Sequence, residues 1–194
     1  MLGRLNSAPP FFAKGAPEPP GFAYWPEFIS KDDEAALIAR FAGLPLAPFQ
    51  FGAFEGKRRV VSFGFRYDYS DHRLHQAAAM PAWVAPLASR VETHAGLASG
   101  AIAHVLFTEY AVGAGIGWHR DKASFDLVFG LSLASACPFR FRKREGKAYR
   151  RVTIRTEPRS LYRMSGEARH IWEHSIAPVA AVRYSITFRT LAAG

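Results

Sequence analysis

The run Val182-Arg183-Tyr184-Ser185-Ile186-Thr187-Phe188-Arg189 alternates apolar and polar side chains without a break. Successive side chains of an extended strand point to opposite faces. Val182, Tyr184, Ile186 and Phe188 therefore share one face, and Arg183, Ser185, Thr187 and Arg189 the other. The apolar face buries against other elements. The polar face either meets water or lines a cavity, where its two guanidinium groups form a grip for carboxylates.

Similar β-rich runs precede it, at Arg59–Phe65, His104–Tyr110, Leu127–Leu133, Phe139–Arg142, Arg151–Arg155, Ser160–Met164 and Ile171–Ile176, each bounded by Gly, Pro or charged residues. Two helices come before or between them. Ser30-Lys31-Asp32-Asp33 is an N-cap with acids in the first turn, followed by Leu37, Ile38, Phe41 and Leu44 at helical spacing. The Ala-rich stretch from Met80 to Leu97 is a second helix that starts after Pro86 or kinks there. Many short strands behind an early helical layer predict a mainly β fold, an antiparallel sandwich or jelly roll with helices packed outside it.

The whole chain, 194 residues at 49% hydrophobic and 21% charged, is the size of one domain. Pro9, Pro10, Pro17, Pro19 and Pro20 remove amide donors from the start, so residues 1–20 read as an extended lead-in and 21–194 as the domain. The single cysteine, Cys137, excludes an internal disulfide and a Cys-based zinc site and points to a reducing, cytoplasmic setting. Met1 to Gly15 has no apolar core of signal-peptide length, and no run is long enough for a membrane span. The formal charge of +9 makes a polyanionic partner physically reasonable.

Gly117-Trp118-His119-Arg120-Asp121 offers an imidazole and a carboxylate on the same side of an extended chain. His-x-Asp alone is a weak signal. A third donor lies in Arg169-His170-Ile171-Trp172-Glu173-His174, where His170 and His174 have the same strand parity and either could serve. Two His and one carboxylate form a facial triad that holds Fe(II) and leaves positions open for substrate and dioxygen. Zinc also accepts such ligands, but a zinc hydrolase would need a further general base and gives no reason for the arginine pair.

Three blocks in order, Thr108–Gly115 leading into His119-Arg120-Asp121, then Trp172–Ile176, then Arg183–Arg189, resemble the AlkB family of Fe(II)- and 2-oxoglutarate-dependent dioxygenases. The similarity runs from Gly21 to Leu191. It implies a double-stranded β-helix, the jelly roll, flanked by N-terminal helices, with Fe(II) held by His119, Asp121 and His174. His174 is thereby chosen over His170. It implies 2-oxoglutarate as co-substrate with dioxygen, the distal carboxylate on Arg183 and the metal-bound end near Arg189, with Thr108, Tyr110 and Ser185 also on the co-substrate side. Six residues of strand separate the two arginines by about 20 Å, a gap that two inward-leaning side chains could reduce to the size of a five-carbon diacid. Thr108 stands where the family usually has asparagine. The implied chemistry is oxidative decarboxylation to succinate and CO2 coupled to hydroxylation of a substrate methyl group, which leaves as formaldehyde when it was attached to nitrogen.

The charge is concentrated. Nine Lys and Arg lie between Arg140 and Arg159 against Glu145 and Glu157, giving that segment +7 of the net +9. Arg140 and Arg142 alternate with Phe139 and Phe141, and Arg151 and Arg155 with Val152 and Ile154, so the strands present basic outer faces suited to phosphates or simply to water. Lys57-Arg58-Arg59 and Arg66-Tyr67-Asp68-Tyr69 fall where the family carries its nucleotide-recognition lid, which marks Arg58, Arg66, Tyr67 and Tyr69 as substrate contacts. The same rings also fit one face of a strand, Phe63, Phe65, Tyr67 and Tyr69, running toward the core. Ala123 replaces the acid with which repair enzymes of the family contact the base. The reading that leads is oxidative demethylation or hydroxylation of alkylated DNA or RNA, with the chain expected to act as a monomer. The alternatives are the same chemistry on a protein or small molecule, and a non-catalytic nucleic-acid-binding protein. Cys137, His72, His75 and the tryptophans read as structural or surface groups, with Trp118 near the core or pocket wall.

Overall fold

A computed structural model describes residues 17–51, 54–68 and 70–193. Most of the lead-in and Tyr69 lie outside the described residues. In chain order the elements are β1 (Phe22–Trp25), α1 (Lys31–Phe41), β2 (Ala47–Phe51), β3 (Phe54–Phe63), β4 (Phe65–Asp68), β5 (Arg73–Gln76), a 3-10 turn (Ala82–Val84), α2 (Ala85–Ala95), β6 (Ile102–Tyr110), β7 (Ile116–His119), β8 (Phe125–Leu133), β9 (Cys137–Glu145), β10 (Ala148–Thr156), β11 (Leu161–Met164), α3 (Gly166–His170), β12 (Glu173–Ile176) and β13 (Arg183–Leu191). A major sheet of order β1-β11-β8-β13-β6-β3-β2 faces a minor sheet of order β10-β9-β12-β7, and β4 with β5 forms a separate hairpin. This is the jelly roll with its helical layer.

The helices form where the sequence places them. The Ser30 hydroxyl accepts from the Asp33 amide at 3.0 Å and the Asp33 carboxylate accepts from the Ser30 amide at 3.2 Å, a capping box that starts α1. Pro86 sits in the first turn of α2, where its missing amide hydrogen costs nothing, and Gly96 closes that helix in the left-handed conformation at φ 67°. Both helices cover one face of the major sheet, built from Val61, Phe63, Val105, Phe107, Phe129, Leu131, Leu133, Leu161, Tyr184, Ile186 and Phe188.

The other face of the major sheet looks at the minor sheet, and register decides what lies there. On β13, Arg183 pairs with Tyr110 of β6, Ser185 with Thr108 and with Ser132 of β8, Thr187 with Leu106 and Gly130, and Arg189 with His104 and Val128. β3 adds Arg58 opposite Tyr110, and β11 adds Tyr162 opposite Gly130. Arg183, Ser185, Thr187 and Arg189 are all buried, so the polar face of β13 lines the interior between the sheets rather than meeting water. A side chain at Gly130 would run into the Tyr162 ring, so glycine there lets that ring lie across β8. From the minor sheet, Phe139, Phe141, Val152, Ile154 and Ile176 close the second core.

Several expectations need correction. Val182 precedes β13 and is 43% exposed. The run Ile171–Ile176 is only half strand: His170 ends α3, so it shares no strand parity with His174. The continuous strand through Phe63 and Tyr67 is broken at Gly64, whose φ of 80° turns the chain out into the β4–β5 hairpin. Trp118 lies on the outer face of the minor sheet, under Arg140 and Arg142, and not on the pocket wall. Pro20 is tied down, its carbonyl accepting from the Ala168 amide at 2.8 Å. Among the described residues no helix is long and apolar enough to cross a membrane.

Candidate metal centre

His119 ends β7, and His174 lies directly opposite it on β12. Asp121 follows two residues beyond His119, in the turn that leads to β8. One ligand atom from each of the three lies within 4.8 Å of the others. The two imidazole rings are 4.2 Å apart between centroids, and His174 Nε2 is 3.7 Å from Asp121 Oδ2. His119 Nδ1 donates to the Gly117 carbonyl at 2.9 Å in the tautomer that leaves Nε2 free for a metal.

The protonation states suit ligation. Burial pushes His174 down to about 3, with the neighbouring His119 adding to the effect, and burial also lowers His119. Both rings are neutral at pH 7. Burial alone would raise the Asp121 carboxyl, but the Arg189 guanidinium and the two histidines hold it well below the usual carboxylate range. A charged carboxylate beside two neutral imidazoles is a donor set that fits Fe(II).

Arg189 completes the centre. Its Nη2 donates to Asp121 Oδ1 at 2.8 Å, leaving Oδ2 turned toward His174. Its Nη1 is 3.2 Å from His104 Nδ1, and its guanidinium lies over the Phe125 ring. Arg183 is deeper, 1% exposed, with Nη2 donating to Ser132 Oγ at 2.7 Å and the guanidinium 5.1 Å above the Tyr110 ring. Its Nε and Nη1 are buried without a partner. A buried cation with two unused donors needs an acceptor, and a carboxylate of a small diacid fits that need.

A cavity of about 130 Å³ adjoins the centre, lined among others by Arg58, Thr108, Tyr110, Tyr162, Met164, His119, Asp121, His174 and Arg189, and Arg183 lies behind its Tyr110 wall. A second, of about 700 Å³, lies between the β4–β5 hairpin, β2, β3 and the centre. The two share Phe49, Leu106, Asp121, Lys122 and Arg189, so the carboxylate of the cluster borders both while its two histidines line the smaller one. Arg66 and Tyr67 line the larger one, and Lys122 Nζ sits 4.4 Å above the Tyr67 ring, tying the hairpin to the residue after Asp121. Arg58 stacks on Phe49 at 3.9 Å. Ser185 is buried on the same face, between Thr108 and Ser132.

Sequence reasoning missed Arg169. It is 2% exposed on α3, and its guanidinium donates to the carbonyls of Asp121 at 3.2 Å, Lys122 at 2.6 Å and Phe125 at 2.6 Å. Three bonds from one side chain fix the turn that presents Asp121. His170, the rejected ligand, is exposed on the far side of that helix, 3.5 Å from Asp126.

Comparison with known proteins agrees with this geometry. The family model described as the 2OG-Fe(II) oxygenase superfamily matches residues 45–189. The chain belongs to that superfamily. Its members use Fe(II), 2-oxoglutarate and dioxygen, and the His119–Asp121–His174 cluster fits the iron. Among curated proteins it is 27% identical over 181 residues to the alkylated DNA repair protein ALKBH8 homolog of Arabidopsis thaliana, covering 81% of this chain and 51% of the relative. It is 30% identical over 167 residues to the mouse (Mus musculus) tRNA (carboxymethyluridine(34)-5-O)-methyltransferase ALKBH8, covering 82% of this chain and 24% of that protein. This oxygenase chain thus spans about half the length of the first relative and a quarter of the second. Solved structures share the fold: OsALKBH1 at TM-score 0.69 and 15% identity, covering 91% of this chain and 99% of that one, and a Pseudomonas putida prolyl-4-hydroxylase at 0.59 and 16%, covering 90% and 94%. The AlkB resemblance read from the three sequence blocks is thereby supported.

Proposed function

We propose that this oxygenase oxidatively demethylates or hydroxylates an alkylated base of a nucleic acid. The observation that carries the reading is that Asp121 and its partner Arg189 also border the larger cavity, whose walls combine the flat rings of Phe49 and Tyr67 with the cations Arg66 and Lys122. Aromatic faces suit a base turned out of its strand, and cations beside them suit its phosphates. The names of the ALKBH8 relatives, an alkylated DNA repair protein and a tRNA methyltransferase, support a nucleic-acid substrate.

Each residue has a defined task in this reading. His119, Asp121 and His174 hold Fe(II). Arg183 receives the distal carboxylate of 2-oxoglutarate with its unused Nε and Nη1, and the Tyr110 ring and Ser132 hydroxyl hold that guanidinium in place. Thr108 and Ser185 supply hydroxyls along the same wall. Arg189 keeps Asp121 ionised and fixes which carboxylate oxygen faces the metal. The bound iron and diacid supply C–H oxidation coupled to decarboxylation of the diacid to succinate and CO2. The protein's share is to orient the diacid, exclude water and aim the substrate methyl group.

Ala123, two residues beyond Asp121, leaves no carboxylate there to accept from a base edge, and Lys122 occupies the adjoining wall. That favours a second reading, the same chemistry on a protein or small molecule. Turnover on a panel of methylated single-stranded oligonucleotides and methylated peptides, with formaldehyde and succinate both quantified, decides between them. Stoichiometric formaldehyde from an oligonucleotide is expected; product from peptides alone would reject the nucleic-acid reading.

A further inference from the structure

The outer face of the minor sheet takes no part in the metal centre, yet it carries an ordered array of planar groups. Antiparallel register sets Arg142 of β9 opposite Arg151 of β10 and Glu173 of β12, and Arg144 opposite Tyr149. The Arg142 guanidinium lies 4.6 Å from the Trp118 ring and 4.5 Å from the Tyr149 ring, and Arg151 is 5.6 Å from Tyr149 on its own strand. Trp118, Arg142, Tyr149 and Arg151 therefore make a continuous ladder of rings and guanidinium planes across the sheet, and Arg140 adds a second plane 5.2 Å from Trp118.

The charge on this face is not cancelled. Arg142 pairs with Glu173 at 2.6 Å and Arg155 with Glu157 at 2.6 Å. Arg140, Arg144 and Arg151 have no carboxylate partner among the described residues. Like charges set directly opposite on paired strands destabilise the sheet, and a face that served only solubility would mix its signs. An uncancelled row of cations interleaved with rings matches a ligand that alternates negative charge with flat apolar surfaces, which is an unpaired nucleic-acid strand.

We propose that this face binds the substrate's own single strand where it continues beyond the nucleotide held in the pocket. The proposal rests on the nucleic-acid reading above and adds a second contact surface to it. The path is short: β7 is the edge strand of the minor sheet, with His119 facing the centre, Trp118 facing outward, and exposed Arg120 following at the cavity mouth. Four strands at about 4.8 Å spacing make a face about 14 Å wide from β7 to β10. A four-stranded sheet of that kind seats two or three stacked bases.

The test compares fluorescence-anisotropy binding of a 12-nucleotide single-stranded RNA, a 3-nucleotide RNA and a 12-base-pair duplex to the whole chain and to Tyr149→Ala/Arg151→Ala, both positions being exposed. The 12-mer is expected to bind the parent chain at least tenfold tighter than the 3-mer. The double variant should lose about tenfold for the 12-mer and little for the 3-mer, with a shallower dependence on salt. Tyr149→Leu with Arg151→Lys keeps charge and bulk without the planes, and should lose most of the same affinity. Equal 12-mer affinity in parent and both variants, or the full loss reproduced on the duplex, whose bases offer no free face, overturns the proposal. Failure of the underlying reading looks different: no methylated oligonucleotide of either length is then turned over at all.

Discussion

Arg189 and Asp121 form a buried ion pair at 2.8 Å in which the cation grips one carboxylate oxygen and leaves the other facing His174. The pair does two things at once, since it keeps the carboxyl ionised in a dry site and selects the oxygen offered to the metal. Arg189→Met removes both while keeping the side chain's length. Fe(II) affinity is expected to fall by about 10- to 100-fold, the usual effect of losing a partner of a metal ligand, as read by titration with Mn(II) or Fe(II) under anaerobic conditions. Unchanged affinity would show that Asp121 is oriented by other groups.

Arg183 acts on a different partner. Its unsatisfied Nε and Nη1 point to the diacid, so Arg183→Ala should raise the half-saturating 2-oxoglutarate concentration by 50-fold or more, while metal affinity measured without the diacid stays within threefold. His119→Ala and Asp121→Ala should instead abolish succinate formation outright. A Mn(II) titration beside a 2-oxoglutarate saturation curve separates the two classes of variant.

Acid should act on the apo-protein through the histidines. Burial holds His174 near 3 in the fold, whereas an unfolded histidine titrates near 6.5. Between those values the unfolded chain binds the extra proton, so this stabilisation is complete above about pH 6.5 and is lost as pH falls through that window. His119, also lowered by burial, adds in the same direction. The expected slope is up to about 1.4 kcal/mol per pH unit for each proton. Thermal melting of metal-free protein from pH 7.5 to 5 checks it, and His174→Gln should flatten the curve.

Much of this arrangement was legible in the sequence because a strand's period of two is strict. The alternation in Arg183–Arg189 separated the helix-facing core from the polar wall, and the paired imidazole and carboxylate of His119 and Asp121 stood on one side of the chain. What stayed hidden depended on groups far apart in sequence. Nothing local to Arg169 announces that its guanidinium will reach three carbonyls more than 40 residues away. The parity of His170 with His174 misled because a single helical turn, α3, interrupts the extended run. Gly64 had a similar effect, since one residue at positive φ sends Tyr67 away from the core strand and over the cavity.

Arg169 is a positioning residue for the centre, acting through the backbone of residues 121–125 and touching none of the three ligand atoms. Arg169→Leu takes a donor from the Asp121, Lys122 and Phe125 carbonyls, of which that of Lys122 keeps a further partner in the Phe125 amide, so two effects are expected together: a loss of about 1–3 kcal/mol in stability and a drop in metal affinity of about tenfold. Urea unfolding with and without Mn(II) measures both. If the stabilisation that Mn(II) confers were the same in parent and variant, the turn would be holding its shape without the arginine.

The last expectation concerns the β4–β5 hairpin. Lys122 ties Tyr67 to the residue after Asp121, so the ring already lies over the larger cavity before any substrate arrives. If that ring stacks on a base, Tyr67→Ala removes a contact worth about tenfold in substrate binding, and Tyr67→Phe restores it because stacking needs the ring and not the hydroxyl. Lys122→Ala should give a smaller, salt-sensitive loss, since the lysine contributes both the tie and a positive charge near the substrate phosphates. Steady-state kinetics on a methylated oligonucleotide, with 2-oxoglutarate saturating, should place these effects on KM. A Tyr67→Phe variant as weak as Tyr67→Ala would shift the role to the hydroxyl, which is 3.3 Å from His72 Nδ1, and would make the hairpin's own shape, not stacking, the source of the effect.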